Sequence, residues 1–356
     1  MSNLGLPAGI DFGRPIRSLR WFGGRVSLRF DIKTATICLT LLAIALVVAL
    51  VTLASGDYQV PLPDVVRALL GQGEGRIHMV VVEWRLPRTA LALLLGAALG
   101  MGGAIFQSLT RNPLGSPDII GFDAGAFTGA LIVITLLHGS YYAIAGGALF
   151  GGLVTALVVY ALAYNRGVQG FRLIIVGIGV SAMLTALNTW ILLRAKLEVA
   201  MAAAIWGAGT LNGLDLDRLF PAMIILAVLM PLAMLMSRPM GQLELGDDAA
   251  RALGVNAERT RLALLVLGVA LTATVTATAG PIGFVALSAP QLARRLTGTA
   301  SVAILPAAAM GALLLAVADF VAQRAFAPTQ IPVGIVTVSL GGIYFVWLLL
   351  REARRQ

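Results

Sequence analysis

WRLPRTALALLLGAALGMGGAIFQSLTRNPLGSPDIIGFDAGA, running from Trp84 to Ala126, decides how the rest of the chain is read. Two arginines, Arg85 and Arg88, lead into an apolar stretch long enough to cross a bilayer, which takes roughly 17–25 residues. The stretch ends at Arg111 in a polar turn punctuated by Pro113 and Pro117. Basic residues at one face, an apolar crossing and a tight polar turn at the other describe one pass of a polytopic membrane protein.

The whole chain has that character. Hydrophobic residues make up 58% and charged residues 12% of the 356, and the apolar residues fall in long runs. Forty glycines suit helices whose backbones approach closely within a bilayer. Cys38 is the single cysteine, which excludes an intrachain disulfide and a cysteine-built metal site. The net charge of +9 is spread over the ends of apolar spans, so it reads as membrane topology and not as a nucleic-acid surface.

Ten spans are expected, at about 34–54, 88–108, 119–137, 141–163, 171–193, 219–236, 260–279, 282–297, 303–323 and 333–350. The eighth is short and broken by Gly280, Pro281, Gly283 and Pro290. With the N-terminus in the cytoplasm, eighteen basic residues lie inside against eight outside, so both termini are placed inside. The chain divides into a basic cytoplasmic segment (1–33), a membrane domain (34–350) and a cytoplasmic tail (351–356). The first apolar run is longer than the core of a signal peptide and reads as an uncleaved span. Trp21, Phe22 and Phe30 among the arginines fit a segment lying on the inner membrane surface; a basic tail is the other reading. RTALALL at Arg88 matches RTRLALL at Arg259 at six of seven positions, yet the first begins outside and the second inside, the pattern of an inverted repeat.

Between Ser237 and Arg261 the chain is too polar for the membrane and too long for a plain connection. Glu244, Asp247 and Asp248 precede Ala249, Ala250, Ala252 and Leu253, with Gly254 as a stop, which predicts a short helix on the cytoplasmic face. It is either a docking element or a solvated loop.

RLPR at Arg85–Arg88, QSLTRNPLGSPDIIG at Gln107–Gly121, ELGDDAARALGV, GPIGFVALSAPQLARRLTG from Gly280 and IPVGIVTVSLGGIYFVWLLLRE from Ile331 together resemble the FecCD-type permeases. These are membrane subunits of ABC importers for ferric siderophores, haem and vitamin B12. The resemblance covers nearly everything after residue 35 and implies an all-α fold of about ten transmembrane helices, the type II importer permease. FRLIIVGIGVSAMLTALNTWILL from Phe171 and PVGIVTVSLGGIYF from Pro332 are most similar to the ferric enterobactin branch, which implies a catecholate siderophore as cargo. Haem or vitamin B12 is the alternative within the family.

The resemblance also implies site residues. Arg85 and Arg88 match arginines that receive acidic residues of an extracytoplasmic siderophore-binding protein; without it they read as headgroup anchors. A third such arginine aligns with Gln323, beside Arg324. Asn112 and Leu114 match a cytoplasmic gate, where an ordinary tight turn is the other reading. Gly246, Ala250, Leu253 and Gly254 match coupling helices, here about 238–258, that seat in an ATPase subunit. Gln291 stands where the family usually has His. The implied partners are a second permease, by preference a paralogue forming a heterodimer, two ATPase subunits carrying ATP and Mg, and the binding protein, with no cofactor or metal on this chain.

No Gly-x-x-x-x-Gly-Lys loop is present, so the chain is not expected to be its own ATPase. His78 and His138 fall about sixty residues apart in expected outside loops and have no metal-ligand spacing. An ion-coupled secondary transporter would place carboxylates within its spans. Asp319 is the clear candidate for that role, and Asp123 sits nearer an interface.

Overall fold

The computed structural model describes residues 16–21, 26–72, 75–118, 121–164 and 170–353. Much of the basic segment (1–15 and 22–25), Ile119 and Ile120 of the expected third span, Arg166 and the last residues of the tail (354–356) lie outside the described residues.

The described part of the N-terminal segment is a hairpin. Ile16–Trp21 (β1) and Val26–Asp31 (β2) form an antiparallel hairpin in which Ile16 faces Asp31 and Trp21 faces Val26. Val26, Leu28 and Phe30 alternate with Ser27, Arg29 and Asp31, the two-residue period of a strand. Asp31 then caps the first helix, its carboxylate accepting from the Lys33 and Thr34 amides at 2.9 and 3.4 Å.

Among the described residues, the regular elements after the hairpin are helices. In chain order the helices are α1 (Ile32–Ala54), α2 (Leu62–Leu69), α3 (Gly75–His78), a π-helical turn (Met79–Arg85), α4 (Leu86–Thr110), α5 (Phe122–Ile132) with a π-helical end (Val133–Leu137), α6 (Tyr141–Ala163) and α7 (Gly170–Arg194). There follow α8 (Leu197–Gly207), α9 (Leu216–Leu235), α10 (Ser237–Glu244), α11 (Asp247–Ala252), α12 (Ala257–Ala279), α13 (Val285–Thr297), α14 (Ile304–Arg324) and α15 (Val333–Ala353). Ten of these occupy the ten expected spans. Among the described residues, seven helices are long and apolar enough to cross a bilayer unaided, and α5 and α13 are among the short ones.

α4 is the central helix, with Leu91, Leu95, Met101 and Ile105 fully buried. It packs on α14 through small residues. A Cβ on Gly100 would lie 2.1 Å from the Ala307 carbonyl oxygen, and one on Gly311 would lie 2.1 Å from that of Gly96, so the two backbones touch. α12 lies on another side of α4 and runs antiparallel to it: Gly102 meets Thr272, while Phe106 meets Gly268. The two matching stretches, at Arg88 and Arg259, therefore open helices of opposite direction at the heart of the bundle.

Candidate functional site

Three places collect the polar chemistry: the end of the bundle where α4 begins, the end where it stops, and the loop that joins α4 to α5.

At the Arg88 end, Arg85, Arg88 and Arg324 line one cavity of about 490 Å³, together with Asp57, Glu83 and Asp215. The Arg85 guanidinium donates to the Leu53 and Tyr58 carbonyls at 2.8 and 2.7 Å, pinning the α1–α2 connection to the start of α4. Arg85 and Arg324 make no ion pair with any of the described residues. Arg88 is placed differently. Its Nε and Nη2 donate to Asp319 Oδ1 at 3.0 and 2.8 Å, and its Nη1 donates to Gln330 Oε1 at 2.7 Å. The side chains are only 11% (Arg88) and 1% (Asp319) exposed. Gln323 Nε2 donates to Asp319 Oδ2 at 2.7 Å. The carboxylate that would have served an ion-coupled carrier is thus occupied by a cation of the same chain, as buried charges require.

At the other end, Arg111 closes α4 in the left-handed region (φ 48°), a conformation usually taken there by glycine. The turn beyond it is held by short bonds. Asn112 Oδ1 accepts from the Leu114 amide at 2.9 Å, and the Gly115 amide donates to the Asn112 carbonyl at 2.9 Å. Gln291 Nε2 donates to the Pro113 carbonyl at 2.6 Å, which gives that residue a definite task in fixing the loop to α13. Asn112 is half-buried and the Leu114 side chain is exposed. A cavity of about 180 Å³ lies beside Asn112 and Pro113, bounded also by Arg111, Glu244 and Arg294.

The expected short helix is α11, stopped at Gly254 (φ 84°), and α10 precedes it, the two being separated at Gly246 (φ 112°). Both glycines stand in conformations that a side chain would strain. Ala250 is fully buried and packs inward, and its carbonyl accepts from the Val255 amide at 2.9 Å. Leu245 and Leu253 point out, leaving an apolar pair on the surface at this end. Asp247 Oδ1 accepts from Arg261 Nη2 at 2.8 Å and from Arg111 Nη2 at 3.0 Å. The hydrogen bond from Arg261, helped by the charges of both arginines, holds the Asp247 carboxyl below the usual carboxylate range. Arg111 also donates to the Leu243 carbonyl at 2.8 Å. Nothing in the residue types alone pointed to this three-way joint, because its members are separated by up to 150 positions.

In the loop before α5, Asp118 accepts from the Phe284 amide at 3.2 Å, and Asp123, in the first turn of α5, accepts from Thr276 at 3.4 Å. These bonds seat the non-helical backbone against the start of α13 and the far part of α12. Irregular backbone inside a membrane protein is tolerated where protein or a cavity satisfies it.

The description "FecCD transport family" matches residues 41–351. The ferric enterobactin transport system permease protein FepG of Escherichia coli is 51% identical over 90% of this chain and 97% of its own length. A probable siderophore transport system permease protein, YfhA, of Bacillus subtilis is 34% identical over 92% of this chain and 99% of its own length. The Escherichia coli Fe(3+) dicitrate transport system permease protein FecD is 37% identical over 85% and 94%. A solved structure described as an inward-facing putative metal-chelate type ABC transporter superposes with a TM-score of 0.80 at 26% identity, covering 89% of this chain and 99% of that one. With its helical bundle, its broken spans and a family match across nearly its full length, the chain belongs to the FecCD transport family of membrane permeases.

Proposed function

We propose that this chain is the membrane-spanning permease subunit of an ATP-driven ABC importer that carries a ferric siderophore of the catecholate, enterobactin-like class across the bacterial cytoplasmic membrane. The observation that carries the reading is the 51% identity with the Escherichia coli ferric enterobactin permease protein, spread over nearly the whole of both chains. Both termini lie in the cytoplasm, and the Arg88 end faces outward to a siderophore-binding protein. Arg85 and Arg324 present the charge to that partner, while Arg88, held by Asp319, shapes the cavity between them. Asn112 and Leu114 close the path at the inner end. Leu253, with Gly246 and Gly254 giving close access and Ala250 anchoring the turn from within, seats in the ATPase subunit.

ATP and its Mg are held by two separate ATPase subunits, since neither Lys33 nor Lys196 follows a glycine as a phosphate-binding loop demands. A second, paralogous permease completes the path. The test is uptake into proteoliposomes containing the four-part complex and its binding protein. Ferric enterobactin uptake should require ATP and survive collapse of ion gradients, and a ferric hydroxamate, haem and vitamin B12 should not be taken up. Uptake abolished by an ionophore, or preference for haem or vitamin B12, would overturn the assignment.

A further inference from the structure

Asp247 joins three elements with one oxygen. It lies in the first turn of α11, next to Gly246, and its Oδ1 receives Arg261 from the first turn of α12 and Arg111 from the end of α4. Arg111 is followed at once by Asn112, Pro113 and Leu114, the loop read as the inner gate. Between α11 and that loop there is one side-chain bond and no flexible linker.

The loop is stiff on its far side as well. Pro113 cannot extend α4, the Asn112 side chain fixes the Leu114 amide, and Gln291 holds the Pro113 carbonyl. Asp247 and Arg111 are thus a direct side-chain route from α11 to the residue that opens the gate loop. The cavity of about 180 Å³ beside Asn112 and Pro113 leaves room for the loop to shift. Arg111 adopts its left-handed backbone although glycine would fit with less strain, and its side chain spends both contacts on α10 and α11. The Arg111 and Asp247 side chains are about half and one-third exposed, and ion pairs of that kind add little to folded stability. Holding the fold together is thus a poor account of the joint.

We propose that Asp247 is a positioning residue that ties the ATPase-facing helix α11 to the gate loop through Arg111, so that nucleotide-driven movement of α11 moves Asn112–Leu114. The proposal rests on the reading of α10–α11 as the ATPase-docking end and assigns the link by which that end acts. Two-site coupling of this kind typically amounts to about 5- to 150-fold.

The test compares Asp247→Asn, Arg111→Lys, Arg111→Ala and the Arg111→Ala/Asp247→Asn double variant in the complete importer. Ferric enterobactin transport and ATP hydrolysis are measured in the same proteoliposomes. Asp247→Asn and Arg111→Ala should retain the ATPase subunits and hydrolyse ATP while transport per ATP falls at least about fivefold. The double variant should be no worse than the poorer single one, and Arg111→Lys, which keeps the charge without the fork, should fall between. An unchanged transport-to-hydrolysis ratio, additive losses, or loss of the ATPase subunits from Asp247→Asn would each overturn the link. Leu253→Asp tests the underlying reading separately. If that variant keeps its ATPase and transports normally, the docking assignment fails whatever Asp247 does.

Discussion

Arg88 and Asp319 show how a residue can be legible in kind and not in role. The sequence offers an arginine at a membrane face and a carboxylate inside a span 231 positions later, and each invites a separate function. Folding places them 2.8 Å apart, with Gln323 and Gln330 taking the remaining bonds. Removing Arg88 strands the buried Asp319 carboxylate beneath the cavity, and breaking a buried pair in this way costs about 3–5 kcal/mol. Arg88→Ala should therefore lower the thermal midpoint of the purified protein sharply, and Arg88→Ala with Asp319→Asn should recover part of the loss. A double variant as unstable as the single one would show that the pair does not explain the stability. Asp247 behaves in the opposite sense, being paired but accessible. Its carboxyl titrates below the unfolded value near 3.9, so its contribution is complete above that value and is lost only as the pH falls through the lowered one. The difference in thermal midpoint between wild type and Asp247→Asn, small because the pair is accessible, should be flat from about pH 5 to 8 and should close below about pH 4. A difference that drifts between pH 5 and 8 would assign the effect to another group. Gln291 was visible in the sequence as a missing imidazole, but only the fold reveals the carbonyl it holds.

Among the elements, the spans were legible because the bilayer sets their length and excludes charge from them, so that α6 begins and ends where the apolar run does, at Tyr141 and Ala163. Outside that constraint α11 was legible from its acidic start and its Gly254 stop, and the other short elements were not. α2, α8 and α10 are short helices outside the spans, too brief for a periodic signal to stand out. Helix contacts within the bundle follow the small residues. α4 and α14 meet backbone to backbone at Gly96, Gly100, Ala307 and Gly311. In a bilayer, where burial of apolar side chains gives no drive for association, this close approach supplies the packing. Gly311→Val should push the helices apart, with an overpacking cost of about 1–3 kcal/mol, and reduce the yield of monodisperse protein. Gly146→Ala, on α6, where an added Cβ meets nothing within 4 Å, should leave the yield unchanged. Equal yields from the two variants would remove the α4–α14 contact from the list of what holds the bundle together.

Over the whole molecule, the buried core is lopsided. α4, α12 and α14 are largely enclosed, whereas α7 shows most of its circumference and packs mainly along a narrow strip against α5 and α6. Its exposed positions are not all suited to lipid. Thr185 and Thr189 lie on its open surface, Thr189 Oγ1 donating to the Thr185 carbonyl at 2.9 Å. This open face of α7 is the one the proposed second permease would have to cover. The outer surface of α6 carries Phe150, Leu153 and Leu157, the last 67% exposed, and is apolar throughout its exposed middle. Cys38 is buried, so the native chain provides a low background for thiol labelling. In the assembled importer, Thr185→Cys should react with a charged, water-soluble thiol reagent, and faster while the complex turns over ATP. Leu157→Cys, facing lipid, should stay unlabelled by the same reagent. Equal labelling of the two positions, or none at Thr185→Cys in any nucleotide state, would place the path on another face of the bundle.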